Sequence, residues 1–366
     1  MSPPVHGSAR ALFTALLFGL PVPTPGLCLQ AGPAGVRPAP EPELVGPPAP
    51  PLYDEARLHR MLEEADALPA ISSLLIVRRD SLVVERYWRG MRPDRAVNIK
   101  SASKTLLSPM VGIALRDGLL EGLDQPLSEL LPDYYERLRA RDDWDPRKEE
   151  IRLRDLLTMQ TGLETTSFAN YGAWVSSGDW AWDQLRRPLR CDPGSCHSYS
   201  TGTTHLLSVI LTRASGRSLR RYMRDELLEP MDIPLGEWDR DPQGNYLGGN
   251  NMPLRPRDLL KLGQLFADRG WFGGQPLVPE AWVEEAWRPR GTSPWNGHRF
   301  GYLWWTETWG DRKAHFAWGY GGQFLVVVPE LELIVVVTSS LSSGRRGSSR
   351  RIRQFFDRWL VPTFVS

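Results

Sequence analysis

The hydrophobic period of the chain changes twice, and that change limits the fold more than any single motif. Near the start, "SSLLIVRRDSLVVERYWRG" (72–90) reads as two short strands rich in Val, Leu and aromatic residues, joined at Arg79-Asp80. From about 120 to 285 the pattern is mostly helical and loop-like. "LRDLLTMQTGL", "THLLSVILTRASG", "SLRRYMRDELLEPM" and "RPRDLLKLGQLFADRG" belong to this part, the last with Leu259, Leu260, Leu262, Leu265 and Phe266 covering one face. Strand runs then return in "RFGYLWWTETW", "FAWGYGGQFLVVVPE" and "LELIVVVTSS", and "SRRIRQFFDRWLV" closes as an amphipathic helix. Strands, a helical stretch, then strands again predict an α/β plus all-α architecture, with an antiparallel sheet flanked by helices. That sheet is built from both ends of the chain, with 51–120 as its first part, 121–285 as an inserted helical domain and 286–366 as its second part. The meeting of two such domains is a natural place for a site.

The 366 residues carry 44 basic and 43 acidic side chains, a formal net charge of +1, so there is no field for a polyanion and nucleic acid is not an expected partner. The first 50 residues differ from the rest. "ARALFTALLFGL" (Ala9 to Leu20) is too short to span a bilayer comfortably and suits the core of a secretory signal, with a small-residue exit near Ala31 or Ala34. Export to a periplasmic or secreted location is the expectation, a cytoplasmic protein with an N-terminal extension the alternative. Cys28 follows the large Leu27, a poor lipoprotein signal, and a Pro/Ala-rich linker runs on to Pro50. Cys191 and Cys196 bracket "CDPGSC", a tight turn across which they would close a disulfide loop in an oxidising compartment; free thiols or a metal with further ligands stay open.

Chemistry is concentrated in "NIKSASKTLLSPMVGIALRDG" (98–118), where Ser101 stands three residues before Lys104 at the head of an apolar helix. At i,i+3 the two share one helical face. A serine needs a base to become a nucleophile, and a lysine serves as one when burial lowers its pKa. The pattern is short enough to arise by chance, with a solvated helix cap as the bland alternative. Two further stretches add weight. "DPGSCHSYSTGTTHLLSVILTRASG" sets Tyr199 after a Pro-Gly turn and before another helix. "HFAWGYGGQFLVVVPELELIVVVTSS" sets Gly319, Gly321 and Gly322 on a strand beside Trp318, where a substrate can approach the backbone.

With these three stretches in place, the sequence resembles the penicillin-recognising serine hydrolases, in particular the class C beta-lactamase-like branch. That branch also holds D-alanyl-D-alanine carboxypeptidases, family VIII carboxylesterases and 6-aminohexanoate-dimer hydrolases. The resemblance runs from about Leu74 to Val361, with "LLTMQTGL" and "VVVPELELIVVVTSS" as supporting stretches. It implies Ser101 as nucleophile, Lys104 as base or proton relay, and Tyr199 of "YST" as proton shuttle to the leaving group. It implies an oxyanion hole from the N–H of Ser101 and one near Gly321 or Gly322. No metal or organic cofactor is implied.

Two departures narrow the chemistry. Thr201 stands where the tyrosine motif usually has Asn, keeping a hydroxyl and losing an amide. In "WGYGG", Trp318 aligns where a lysine or histidine usually opens the third motif, and an indole cannot pair with a carboxylate. Lys313 and His315 lie just upstream. The expected substrates are therefore small-molecule esters or amides with apolar acyl groups, on the esterase and aminohexanoate-dimer side of the branch. A D-alanyl-D-alanine carboxypeptidase or weak beta-lactamase is the alternative, and a non-catalytic binding or scaffold protein on the same fold the other. Tyr171 and Asp179 fall where aminohexanoate-oligomer hydrolases carry an extra tyrosine and acid. His197 is a possible substrate contact and His205 a structural residue. Trp304 and Trp305 should divide between opposite strand faces, and Trp174, Trp180 and Trp182 are candidates for an apolar substrate wall.

Overall fold

The computed structural model describes residues 52–340 and 348–364; the signal-like segment, the linker and Cys28 lie outside them. The first hairpin forms as its sequence predicts. Strand β1 (Ile71–Arg78) turns into β2 (Ser81–Tyr87) through Arg79 and Asp80, both at positive φ, 46° and 58°. Paired positive φ in a two-residue loop is the twist that lets flanking strands stay in register.

β1 then pairs with the last strand of the sheet. The remaining strands are β3 (Gly291–Thr292), β4 (Arg299–Phe300), β5 (Trp305–Trp309), β6 (Arg312–Gly319), β7 (Gln323–Val328) and β8 (Leu333–Ser339). Their order in the sheet is β2-β1-β8-β7-β6-β5-β4-β3, antiparallel at every step, so both ends of the chain meet at the β1/β8 pair. The register there runs from Ile71 opposite Ser339 to Arg78 opposite Leu333. Every residue of β7 and β8 is buried, which requires cover on both faces and explains why these strands read as continuous apolar runs.

That cover comes from opposite ends of the sequence. Helix α1 (Glu55–Ala67) and the C-terminal segment lie on one face, where Phe356 meets Phe324 at 5.3 Å and Trp309 at 5.8 Å between ring centroids. The other face receives the helix Pro256–Ala267, whose Leu259, Leu262, Leu265 and Phe266 are buried while Leu260 is half-buried. This helix belongs to the 121–285 stretch read as the insert, yet it packs on β8, β7 and β1.

Two helices run through the interior. Helix α2 (Lys104–Arg116) is buried from Lys104 to Ala114, and α3 (Thr201–Ser215) from Thr201 to Leu211. Buried on every side along these stretches, they are core helices that carry polar residues inward, and they pack on each other. Each begins at one of the motifs singled out above, so their packing brings the two motifs together. Among the described residues, no helix is long and apolar enough to cross a membrane.

Candidate active site

Ser101 sits in a 3-10 turn, Lys100–Ser103, that feeds into α2, so regular helix begins at Lys104 rather than at Ser101 itself. The turn is tightly held. Lys100 has φ +52° and donates its N–H to Asn98 Oδ1 at 2.9 Å, and Ser103 Oγ donates to the Lys100 carbonyl at 2.8 Å. A non-glycine residue in the left-handed region costs energy that the surroundings must supply, and such residues gather at functional sites.

One helical turn on, Lys104 Nζ lies 3.1 Å from Ser101 Oγ. Its other partners are Thr201 Oγ1 at 3.1 Å and the Gly249 carbonyl at 2.7 Å, all neutral oxygens. The side chain is 2% exposed. Burial disfavours the ammonium and lowers its pKa to about 7. A lysine of ordinary pKa is protonated at neutral pH and takes no proton from a serine; the lowered value puts the neutral amine within reach near neutral pH.

The Gly249 carbonyl is a contribution that sequence reasoning missed. Gly249 has φ +86°, and a Cβ there would lie 2.3 Å from Lys104 Cγ, so only glycine lets the loop come this close. The loop is fixed from behind. Thr204 Oγ1 donates to the Gly248 carbonyl at 2.8 Å, and the Gly248 N–H donates to His205 Nδ1 at 3.3 Å. His205 Nε2 meets Asp241 Oδ2 at 2.9 Å, and Asp241 also accepts from the Asn245 N–H and side-chain amide. With Nδ1 accepting, the ring N–H sits on Nε2, facing the carboxylate. The structural reading of His205 therefore holds in a specific form: it props the loop that holds Lys104.

Thr201 performs with a hydroxyl the holding for which an amide is usual. Its Oγ1 accepts from Lys104 and lies 3.0 Å from Ser167 Oγ, which also accepts the Thr201 N–H at 2.9 Å. Ser167 had no motif to announce it. Tyr199 completes the group: Lys104 Nζ is 5.2 Å from its ring centroid, and Ser101 hydrogen-bonds its phenol. Burial pushes the phenol pKa up, only partly offset by that bond, so Tyr199 is a phenol at neutral pH. Its ring stacks on Trp305 at 5.7 Å and 24°.

The glycine-rich strand end reaches the Ser101 turn at Gly319. A Cβ on Gly319 would lie 2.1 Å from the Ile99 carbonyl and 3.2 Å from the Ala102 nitrogen. Gly321 and Gly322 lie in the turn beyond. Gly322 donates its N–H to Gly319 at 3.2 Å, and its missing side chain faces Ile352 of the C-terminal helix. The strand ends at Gly319, so that position packs against the Ser101 turn, while Gly321 and Gly322 lie in the loop that leads to β7.

The chain matches the Beta-lactamase family over residues 58–356, most of its length and all of the site just described. The chain belongs to the Beta-lactamase family. It is 24% identical over 302 residues to the 6-aminohexanoate-dimer hydrolase of Paenarthrobacter ureafaciens, covering 77% of this chain and 75% of that one. The fold is shared with a class C beta-lactamase from Rhodobacter sphaeroides (TM-score 0.62, 19% identity, 82% and 97% of the two chains). It is shared as well with EstCE1, a hydrolase with promiscuous acyltransferase activity (TM-score 0.64, 16% identity, 82% and 98%). The expected beta-lactamase/transpeptidase-like architecture is thereby met, and the chain is a hydrolase of this family.

Within the family frame, the remaining residues separate into those near Lys104 and those elsewhere. Tyr171 is near: its hydroxyl accepts from Asn250 Nδ2 at 2.8 Å, one residue beyond Gly249. Asp179 is elsewhere, capping the helix Trp180–Arg186 through the Trp182 N–H, with Tyr134 and Arg137 as its other partners. His197 is buried, with Nδ1 on the Thr158 carbonyl and its ring against Phe300. His315 stacks on Trp287 at 4.5 Å, Lys313 lines a separate surface pocket, and Lys100 Nζ bonds Asn251 Oδ1. Trp304 and Trp305 do divide by face, the first in the core against Phe266, the second under Tyr199. The expected tryptophan wall is not at the site: Trp174 and Trp180 are core residues packed on His205, and Trp182 lies beneath the Arg137 guanidinium. Cys191 and Cys196 are joined in a disulfide, one residue ahead of His197. Among the described residues, no group of three His, Cys, Asp or Glu is placed to hold a metal ion.

Proposed function

We propose that this chain hydrolyses small carboxylic esters, with amides as the second substrate class, through an acyl-enzyme on Ser101. The observation that carries the reading is the buried Lys104 amine, 3.1 Å from Ser101 Oγ, surrounded by neutral acceptors and with its pKa lowered to about 7. Neutral Lys104 takes the serine proton as Oγ attacks the carbonyl carbon. The carbon–oxygen double bond opens to an oxyanion, held by the Ser101 N–H and a second N–H at the Gly319–Tyr320 step. The tetrahedral adduct collapses, expelling the alcohol or amine, to which Tyr199 passes a proton that Lys104 restores. Water then attacks the acyl-enzyme, giving its proton to the same groups and releasing the acid and free Ser101.

Esters are favoured over carboxylate-bearing beta-lactams and peptides because Trp318 stands where a cation is usual. The amide reading rests on Tyr171, whose hydroxyl is tied through Asn250 to the loop that holds Lys104, together with the likeness to a 6-aminohexanoate-dimer hydrolase. The test is initial rates and intact-protein mass for the parent and Ser101→Ala on short p-nitrophenyl esters, a 6-aminohexanoate dimer and nitrocefin. Ester turnover with an acyl adduct, both lost in the variant, is the expected result. Equal behaviour of the two proteins, with no adduct, would leave the scaffold reading. Export, suggested by residues outside the described structure, remains part of the proposal and is tested by fractionating cells that express the full chain.

A further inference from the structure

Phe168 and Trp295 are 57% and 55% exposed, among the few large apolar side chains left in solvent. They are not scattered. The Phe168 ring is 6.2 Å from Tyr199 and 5.5 Å from Trp295, which stacks on Trp318 at 5.2 Å with planes 18° apart. Tyr199 in turn stacks on Trp305, which lies 6.4 Å from Trp295. The five rings form one chain of contacts that runs from buried Trp305 and half-buried Tyr199 and Trp318 outward to Trp295 and Phe168 in solvent. Phe168 is held there at a cost, with φ +57°. Its neighbour Ser167 is locked to Thr201, so the strained residue is fixed from the polar side of the site. A connected, exposed aromatic patch rooted in a site marks a ligand surface rather than a packing remainder.

We propose that this aromatic shelf binds an aromatic group on the leaving-group side of the substrate, making aryl-bearing alcohols the favoured ester partners. The inference rests on the serine-hydrolase reading above. Its direction follows from Tyr199. If that phenol protonates the departing oxygen, the surface continuous with its ring flanks the alcohol and not the acyl group. The shelf offers ring faces and edges to a flat group, the geometry aromatic pairs prefer. Beside Trp318, Arg353 lies 5.6 Å from the ring and is bound to Glu307, so it does not present a free charge for a carboxylate at the outer end of the shelf.

The test compares benzyl acetate with n-butyl acetate, which share an acyl group and release alcohols of similar acidity. Their kcat/KM ratio reports discrimination in the transition state and cancels any loss of folded enzyme. The parent should prefer the benzyl ester by about tenfold or more. Trp295→Ala and Phe168→Ala should each remove most of that preference, and Trp295→Phe should keep much of it. Butyl benzoate against butyl butyrate forms the control for the acyl side. No benzyl preference in the parent, a ratio unmoved by both alanine variants, or a variant effect confined to the benzoate pair would each overturn the proposal. Ser101→Ala on the same substrates separates the two claims. Turnover lost in that variant with a flat benzyl ratio sinks the shelf and leaves the serine mechanism standing; turnover retained sinks both.

Discussion

Around Lys104 the site is polar, buried and closed, with Thr201, Ser167, Gly249, His205 and Asp241 all tied to one another; around Trp295 it is apolar and stands in solvent. The polar side is organised before any substrate arrives, which the proposed proton transfer requires, since a displacement of an ångström weakens it sharply. The aromatic side leaves its outer rings, Phe168 and Trp295, largely exposed. Changes on the polar side should therefore strike rate and stability, while the aromatic side should respond in substrate preference.

The largest effect expected is from Ser101→Ala, about 10⁴-fold or more in kcat for the ester substrate that the parent turns over best. Lys104→Met should be similarly inactive and yet melt at a higher temperature. The folded pKa of Lys104 is about 7 and the unfolded one about 10.4, so below pH 7 the fold carries the full cost of a buried ammonium. Between these values the unfolded chain holds a proton that the folded one lacks, so the contribution of Lys104 to stability improves as pH rises. Removing the amine should gain on the order of a few kcal/mol at pH 6, read by urea unfolding at pH 6 and pH 9, with a smaller gain at the higher pH. If Lys104→Met is destabilised throughout, the contrast drawn here between activity and stability breaks.

The pH profile sharpens the same point. Because the base form is the deprotonated amine, log kcat/KM should rise with pH through an apparent pKa near 7 and level off above it. Gly249→Ala places a methyl against Lys104 Cγ at a left-handed φ and should cost about 10²-fold in kcat and roughly 2–3 kcal/mol of stability. His205→Ala leaves Asp241 short of one partner and frees Gly248; a loss of about 2–4 kcal/mol with a smaller fall in kcat is expected by thermal melting and steady-state kinetics. The smallest effect belongs to Cys191→Ser with Cys196→Ser. The six-residue loop they close, Cys191 to Cys196, is worth about 2 kcal/mol, and activity should change less than about threefold.

What was legible in the sequence depended on whether a residue acts through its own side chain. Ser101, Lys104 and Tyr199 carry distinctive groups at fixed spacings, and two buried helices with those residues at their N-terminal ends bring them together. Gly249 acts through a carbonyl and Ser167 through a single hydroxyl, neither distinctive in one sequence. Their partners lie 145 and 34 residues away along the chain. Within the glycine run the sequence leaves three positions open, 319, 321 and 322, and where β6 ends decides which of them packs on the Ser101 turn. The tryptophans failed for the opposite reason. Trp174 and Trp180 look like a binding wall when written beside Tyr171, yet burial takes them into the core. The exposed rings come instead from Phe168 and the turn at Trp295. The sheet was readable from its two-residue period, but the packing of Pro256–Ala267 on it was not, because an amphipathic stripe says that a helix is covered and not by what.

The pairing of β1 with β8 also fixes when the candidate site can assemble. During synthesis the Ser101 turn emerges early, but Gly319, which it packs against, and the strand that completes the sheet beside β1 emerge only near the end. Contacts so distant along the chain close slowly. A growing polypeptide thus carries Ser101 without the strand end that packs against it until β6 to β8 have been made.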